Sequence, residues 1–265
     1  MITNKISGNA VQSVLCQLTP GQTVYAEPGK FLWKTQNVSL ETRLSAPAGN
    51  QAGAPAAKAG LLGKALDVGK RVLAGERLAF EYFTTMGGNG LVSFAGVIPG
   101  EMRILELEPG TGWMTEHGAF VAAESTVGFD IAFTGLRAGL RGGEGFVLEH
   151  FTGPGTVVIA AAGNFIDLNP AKYGGTIQVH TGCIVGFQDT LSYSVERIGG
   201  LGTQTAMNAV FGDGATVATL TGDGQVLIQS FTIQALARTL EGHMRGQGEE
   251  RKSGLGNLGG LGDLL

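Results

Sequence analysis

The stretch that decides the fold is Gly143-Glu144 with the run that follows it, Glu149-His150-Phe151-Thr152-Gly153-Pro154-Gly155 and then Val157-Val158-Ile159. The same order of a Gly-acid pair, a short run that ends in Thr and an apolar run recurs around Gly75-Glu76 and around Gly212-Asp213. An internal repeat of this kind indicates one supersecondary unit that is copied and stacked along the chain. The pattern therefore predicts architecture, and it says little about chemistry.

Each copy also has an earlier half, which contains glycine-rich turn motifs. Leu18-Thr19-Pro20-Gly21 leads to Glu27-Pro28-Gly29, and Leu107-Glu108-Pro109-Gly110 leads to Glu116-His117-Gly118 at the same spacing. A degraded third copy keeps an apolar run after Gly182-Cys183. In a Pro-Gly turn, proline presets φ at the first central position and glycine supplies the positive φ that the second requires.

The two halves together predict the domain organisation. We expect a single β-rich domain over residues 1–231, because a chain of 265 residues can bury one large core. The first pseudo-repeat carries an Ala/Gly/Pro-rich insertion at 47–68. The predicted pseudo-repeats cover about 4–98, 101–162 and 166–230, and they are followed by a helix at 232–244 and a flexible Gly-rich tail at 245–265.

The composition favours a protein that associates with copies of itself. Glycine accounts for 45 of the 265 residues, which is typical of a chain with many tight turns. Charged residues make up only 15% of the chain, well below the usual ~25%. Scarce charge suggests that surface is buried between subunits, and the threefold internal repeat makes a homotrimer the first expectation.

Short runs between turn residues predict strands, and many short strands at even spacing predict a sandwich or a barrel-like stack. The clearest runs lie at 24–26, 77–80, 103–107 and 176–179. Two helices interrupt the strands. One is predicted at about 59–68 in the insertion, and the other begins near Ile233, whose apolar positions recur at helical spacing up to a stop at Gly242.

Nothing in the sequence resembles a targeting segment. The start, Met1-Ile2-Thr3-Asn4-Lys5, follows neither the plan of a signal peptide nor that of a transit peptide. The longest apolar stretch, 157–162, is far shorter than the ~20 residues that span a bilayer. Cys16 and Cys183 form neither a disulfide framework nor a metal-ligand spacing, and both lie in apolar runs. These features predict two buried thiols and a cytoplasmic location.

The paired motifs, with the closing Gly222-Asp223-Gly224-Gln225-Val226-Leu227-Ile228-Gln229-Ser230, resemble the altered-inheritance-of-mitochondria (mitochondrial biogenesis) family over about residues 4–231. The resemblance implies a fold similar to the tryptophan-RNA-binding attenuation protein, in which a β-sandwich-like or double-stranded β-helix-like unit is repeated and assembled into oligomers. Mitochondrial members are linked to inner-membrane organisation. The family offers no established catalytic residues, so the resemblance implies neither a catalytic site nor a cofactor.

Four histidines raise an alternative, a metal-dependent enzyme of the cupin type. Such enzymes present His-x-His and a nearby Glu from adjacent strands, and this sequence has no His-x-His. When the repeats are aligned, His117, His150 and His180 fall at three nonequivalent positions. They could still converge on one ion, and they are the candidate ligands of this alternative.

Acidic residues recur at matching positions in the repeats, and we interpret them as structural. An acid that is present in every copy is expected to accept backbone N–H bonds in a turn, whereas catalysis perturbs one carboxylate in one cleft. The predicted structural turn residues are Gly21, Glu27, Gly29, Gly75, Glu76, Gly110, Glu116, Gly118, Gly143, Glu144, Gly212 and Asp213.

Phosphate and nucleic-acid binding are disfavoured. The glycine-rich loops 87–90, 212–214 and 222–224 lack a following Lys-Ser/Thr and a helix, which a phosphate loop requires. Between Gly142 and Ala237 the basic residues are Lys172 and Arg197, against seven acids. Because affinity for a phosphate backbone comes chiefly from Lys and Arg, no nucleic-acid partner is predicted.

Membrane contact has one candidate, the basic amphipathic segment 58–71, in which Lys58, Lys64, Lys70 and Arg71 flank an apolar face. Such a segment can lie on an anionic leaflet, although it more often caps an open β stack. The sequence therefore predicts a non-enzymatic, self-associating β-repeat protein that acts as a binding or scaffolding module. A metal-dependent enzyme and a peripheral membrane protein are the alternatives, and no protein partner is identified.

Overall fold

The computed structural model describes residues 2–44, 79–133, 147–197 and 216–256. Most elements in these ranges are strands, because short runs rich in β-branched and aromatic residues alternate with Gly, Pro and Asn turns. The predicted fold class, mainly β with a C-terminal helix, is confirmed. The first strands are β1 (Thr3–Ser7), β2 (Ser13–Leu18), β3 (Thr23–Ala26), β4 (Phe31–Lys34), β5 (Val38–Arg43), β6 (Phe80–Thr85) and β7 (Gly90–Ala95).

Twelve further strands follow in the described residues, in two groups of six. The second group comprises β8 (Met102–Leu107), β9 (Gly112–Glu116), β10 (Phe120–Glu124), β11 (Gly128–Phe133), β12 (Val147–Thr152) and β13 (Gly155–Ala160). The third group comprises β14 (Phe165–Leu168), β15 (Thr176–His180), β16 (Ile184–Gln188), β17 (Ser192–Arg197), β18 (Thr216–Thr221) and β19 (Val226–Gln229). We call β2–β7, β8–β13 and β14–β19 the first, second and third sets.

The antiparallel pairing order is the same in the three sets. The sixth strand of a set lies between the first and the third, and the fifth lies between the fourth and the second. The third strand of every set carries a bulge next to its first residue, at Phe31, Phe120 and Ile184. Equivalent strands therefore place equivalent residues at equivalent positions, which allows one set to be compared with another residue by residue.

Neighbouring sets are joined by strand pairing. The second strand of the first set, β3, pairs with the third strand of the second set, β10, with Ala26 opposite Ala122. In the same way β9 pairs with β16, with Thr115 opposite Gly186. The two junctions produce two six-stranded sheets, β5-β6-β3-β10-β13-β8 and β11-β12-β9-β16-β19-β14. The remaining sheets are β1-β2-β7-β4 and β15-β18-β17, and they lie at the two ends of the series.

Aromatic side chains from the first two sets fill the largest buried cluster. Phe120 is fully buried, and its ring centroid lies 4.8 Å from that of Phe151 and 5.5 Å from that of Tyr25. The Tyr25 hydroxyl donates to the Val127 carbonyl at 3.4 Å, so the buried phenol has a partner. The junction between the sets is therefore part of the hydrophobic core.

The Pro-Gly turns form where the sequence predicts them. Gly21 and Gly110 have φ of 83° and 81°, in the left-handed region that favours glycine. In these two turns the carbonyls of Thr19 and Glu108 accept the N–H groups of residues 22 and 111. The other predicted turn pairs, Gly75-Glu76, Gly143-Glu144 and Gly212-Asp213, lie outside the described residues.

The C-terminal helix is longer than the sequence predicted. Helix α1 runs from Ile233 to Gly256, so the predicted stop at Gly242 is wrong. Residues 245–256, predicted to belong to a flexible tail, are part of the helix. A single glycine inside a helix costs about 1 kcal/mol relative to alanine, which is too little to end a helix by itself. The predicted helix at 59–68 and the basic segment 58–71 lie outside the described residues.

The described residues contain no helix that is both long and apolar enough to cross a membrane.

The two cysteines differ in exposure, and this leads to a prediction. Cys16 is buried, and desolvation, helped by the negative charge of Glu124, raises its pKa to about 12. Cys183 is only half-buried, which corrects the expectation of two buried thiols. Because the thiolate is the nucleophile, iodoacetamide at pH 8 should alkylate Cys183 at least about 100-fold faster than Cys16. Peptide mass spectrometry measures both alkylation rates. Equal rates in the native protein would contradict this prediction. In denaturant, where both thiols are exposed, the two alkylation rates should converge.

Candidate functional site

A cavity of about 560 Å³ opens between the first and second sets. Its apolar wall includes Phe80, the stretch 160–162 and Ile233 at the start of α1. A concave site with apolar walls and a few convergent polar groups is the usual form of a ligand pocket. The polar residues that line this one are Glu27, Lys30, Glu116, His117, Glu149 and Gln229.

Two equivalent turns carry most of these polar residues. In the turn after β3 the carbonyl of Glu27 accepts the N–H of Lys30 at 3.4 Å, and in the turn after β9 the carbonyl of Glu116 accepts the N–H of Ala119 at 3.1 Å. The third residue of each turn is a glycine with left-handed backbone, φ 91° and 94°. These turn bonds use the backbone carbonyls of the two glutamates, and both glutamates line the cavity. Since β3 pairs with β10, the two turns belong to neighbouring strands of one sheet.

Three side chains converge in the cavity. One carboxylate oxygen of Glu27, one of Glu149 and one ring nitrogen of His117 all lie within 4.8 Å of one another. His117 Nδ1 is 3.4 Å from Glu149 Oε1. The Glu149 side chain is only 2% exposed, whereas that of His117 is 40% exposed. A buried carboxyl group thus lies at the base of the cluster, and the more exposed imidazole lies at its mouth.

Lys30 supplies the positive charge beside this cluster. Its side chain is 5% exposed, and its Nζ lies 3.7 Å from Glu27 Oε2. The same Nζ donates to the Gly118 carbonyl at 3.1 Å. The lysine therefore ties the first turn to the second and holds the Glu27 carboxylate near the second set.

The three histidines of the cupin-like alternative do not form a group at metal-binding distance in the described part of the chain. His150 follows Glu149 in β12, and successive residues of a strand point to opposite faces of the sheet. His150 Nε2 lies 3.0 Å from Asp189 Oδ2. His180 Nδ1 accepts the N–H of Gly182 at 3.2 Å, at the start of the 3-10 turn Thr181–Cys183. Only His117 of the three belongs to the group that does form.

The strands at the two ends of the series form a second candidate site. On β4, no described strand pairs with the side opposite β7, and on β15 none pairs with the side opposite β18. Leu32 and Trp33 on β4 are 52% and 47% exposed. We call these two unpaired sides the β4 edge and the β15 edge. An exposed edge is a template for pairing with another strand.

A family model for mitochondrial biogenesis AIM24 matches residues 4–231. The chain belongs to the AIM24 family. The family resemblance drawn from the paired motifs is thereby confirmed. The likeness to the attenuation protein, which that resemblance also implies, stays a prediction.

Two similar proteins match most of the length of this AIM24-family chain. An uncharacterized protein of Streptococcus pyogenes serotype M6 is 25% identical over 229 residues, which is 86% of this chain and 84% of that protein. A Streptococcus pyogenes protein solved by X-ray crystallography superposes with a TM-score of 0.70 at 22% identity, over 92% of this chain and all of that chain. The superposition shows that the two proteins share a fold.

Proposed function

We propose that this AIM24-family chain is a non-enzymatic scaffolding module that assembles head to tail, with the β15 edge of one copy paired to the β4 edge of the next. The observation that carries the proposal is the equivalence of the strands. Within the chain, the second strand of one set pairs with the third strand of the next at both junctions, β3–β10 and β9–β16. The β15 edge is the remaining second strand, and the β4 edge is the remaining third strand.

Burial at equivalent positions supports this pairing. Val121 and Val185 occupy the second residue of the third strand in the second and third sets, and they are 0% and 1% exposed. The equivalent residue of the first set is Leu32, which is 52% exposed in the single chain. A neighbouring copy at the β4 edge would bury Leu32 as the internal junctions bury the two valines. Burial of a leucine stabilises an interface by about 1.5–3 kcal/mol.

The backbone of the two edges is also complementary. At the first junction the Thr23 carbonyl accepts the N–H of Ser125 at 3.0 Å, and at the second the Gly112 carbonyl accepts the N–H of Asp189 at 3.1 Å. The equivalent groups at the edges are the carbonyl of Thr176, the first residue of β15, and the N–H of Gln36, two residues after β4. Head-to-tail pairing would join them in the same geometry.

Glu81 provides electrostatic support. Its Oε2 atom is buried without a hydrogen-bond partner, and desolvation raises the pKa of its carboxyl group. Glu81 occupies the position in the first set that Glu149 occupies in the second, opposite Ala26 as Glu149 is opposite Thr115. In the proposed pairing, the residue equivalent to Glu27 is His180 of the preceding copy. The Nδ1 atom of His180 accepts the Gly182 N–H, so the proton of the neutral ring is on Nε2, and this N–H would offer the buried Glu81 carboxyl group a hydrogen-bond donor.

The pairing uses two different surfaces, so it is heterologous. Heterologous contacts generate a ring when the rotation closes and a filament when it does not. The trimer predicted from the threefold repeat is one such ring, and the cytoplasm is the compartment that the sequence predicts for it. The burial of apolar edges between copies also accounts for a chain in which only 15% of residues are charged.

Proline at Gln178 tests the proposal. Because the Thr176 backbone faces the β15 edge, and residues two apart on a strand face the same side, the Gln178 N–H also faces that edge. Gln178→Pro removes this donor and leaves the pairing with β18, so the dissociation constant of the assembly should rise at least 100-fold. Leu32→Lys should have a similar effect from the β4 edge. Native mass spectrometry and sedimentation velocity measure the change.

Matched controls separate pairing from folding. Gln178→Ala keeps the N–H, and Val11→Lys adds a charge at a residue that is 64% exposed and lies just before β2, which β7 separates from β4. Both variants should assemble like the wild type, and circular dichroism should show a native fold in all four. A wild-type chain that is monomeric at micromolar concentration would overturn the proposal, as would multimers that survive both Gln178→Pro and Leu32→Lys.

A further inference from the structure

We infer that Glu27, His117 and Glu149 form a site for a divalent transition-metal ion of the Zn²⁺ or Mn²⁺ type, held between the first and second sets of strands. The inference goes beyond the proposed function, because every ligand comes from one chain and the site needs no assembly. The donors are two carboxylates and one imidazole, the oxygen and nitrogen ligands that these ions take in proteins.

The geometry is close to that of a bound ion. The three donor atoms lie within 4.8 Å of one another, and two of them, on His117 and Glu149, are 3.4 Å apart. Bonds of about 2.0–2.2 Å from one ion place neighbouring donors about 3.4 Å apart. A small rotation of the Glu27 side chain, which is 19% exposed, would complete the set.

The charges at the site favour a cation. Glu27 and Glu149 contribute two negative charges, and Lys30, 3.7 Å from Glu27, contributes one positive charge. With a neutral imidazole the group carries a net negative charge in a partly buried cavity. Carboxylates held close together in such surroundings are stabilised by a bound cation, because burial otherwise disfavours their charged form.

A second observation comes from Thr115. This residue is directly opposite Glu149 in the pairing of β9 with β12, so the two side chains lie on the same face of the sheet. Thr115 is fully buried, and its Oγ1 has no hydrogen-bond partner. A buried hydroxyl group without a hydrogen-bond partner is uncommon in a native fold. A water molecule bound to a metal ion beside Glu149 would give the Thr115 hydroxyl group a hydrogen-bond partner.

The comparison between sets shows that this group of donors occurs at one junction. At the second junction, the positions of Glu27, His117 and Glu149 are taken by Glu116, Thr181 and Ala218. Threonine and alanine there cannot supply the imidazole and the buried carboxylate. A purely structural role in the repeat would use the same residues at both junctions, whereas a ligand site requires its donors at only one.

Metal titration of the full chain tests the inference. The wild-type protein, stripped with a chelator, should bind one Zn²⁺ or Mn²⁺ per chain in calorimetry and should melt at a higher temperature with the ion. Glu27→Gln and His117→Ala should each weaken binding at least 100-fold. His150→Ala is the matched control, because it removes the neighbouring histidine on the opposite face and should leave the affinity unchanged.

The outcomes are distinct from those that test assembly. Tight binding of one ion that both site variants lose supports the site, whether the chain is monomeric or multimeric. Absence of binding in the wild type overturns it. Binding that survives in both Glu27→Gln and His117→Ala also overturns it, because the ion then lies elsewhere, for example on His243 or a cysteine. Since both substitutions are at partly exposed turn residues, both variants should fold.

Discussion

Phe120→Ala is expected to lower the free energy of unfolding by about 3–5 kcal/mol. Phe120 is fully buried in β10, and its ring contacts Tyr25 of the first set and Phe151 and Phe129 of the second. Truncation to alanine removes the buried phenyl ring and its packing contacts. It also leaves a cavity that the surrounding strands fill only in part. Urea denaturation of both proteins, followed by circular dichroism and by fluorescence, measures the loss.

The position of Phe120 makes this substitution a test of how the sets depend on one another. Because the ring joins two sets, we expect both probes to report one lowered transition. Phe165→Ala is the control, since this ring is only partly buried and stacks under Arg103 at 4.6 Å. It should cost about 1–2 kcal/mol, in line with partial burial. A Phe120→Ala variant as stable as Phe165→Ala would contradict the assignment of the core to the junction.

Gly100→Ala is expected to destabilise the protein by about 2–3 kcal/mol through overpacking. Gly100 forms an isolated parallel bridge with Gly163 where the second set meets the third. A Cβ atom on Gly100 would overlap the Ala161 carbonyl oxygen and would lie 2.8 Å from the backbone nitrogen of Gly163. Both neighbours are backbone atoms, which cannot rotate away as a side chain can.

Gly87→Ala is the matched control for this substitution. A Cβ atom at Gly87 meets no atom within 4 Å, so the variant should differ from the wild type by less than about 0.5 kcal/mol. Thermal melting and urea denaturation compare the two. Equal stabilities of Gly100→Ala and Gly87→Ala would show that the chain relaxes at the bridge and that the close approach is not required.

Local features of the fold could be predicted from the sequence, since they depend on residues close together in the chain. Pro20-Gly21 and Pro109-Gly110 predicted turns, and both glycines have positive φ. The runs at 103–107 and 176–179 predicted strands, and β8 and β15 are found there. The predicted stop of the C-terminal helix at Gly242 is wrong, because one glycine costs a helix only about 1 kcal/mol and does not end it.

The cavity cluster could not be predicted in the same way. Glu27 and Glu116 align between the repeats, so the sequence alone favours a structural role for both. The structure shows that Glu27 lies beside the turn of the next set, where His117 and Glu149 complete the group. One signal was present in the sequence: the position that follows the repeated glutamate is proline in the first repeat and histidine in the second. That break in the repeat marks the site.

The sequence by itself determined the strands, the turns and the family, because alternation, Pro-Gly pairs and motif spacing act over a few residues. Only the tertiary structure decided which strands of different sets lie side by side. The pairing of β3 with β10 joins residues about a hundred positions apart, and its register depends on packing across the junction, which no local pattern specifies. The convergence of Glu27, His117 and Glu149, which carries the proposed metal site, depends on that pairing, and the proposed pairing of the β4 and β15 edges is based on it.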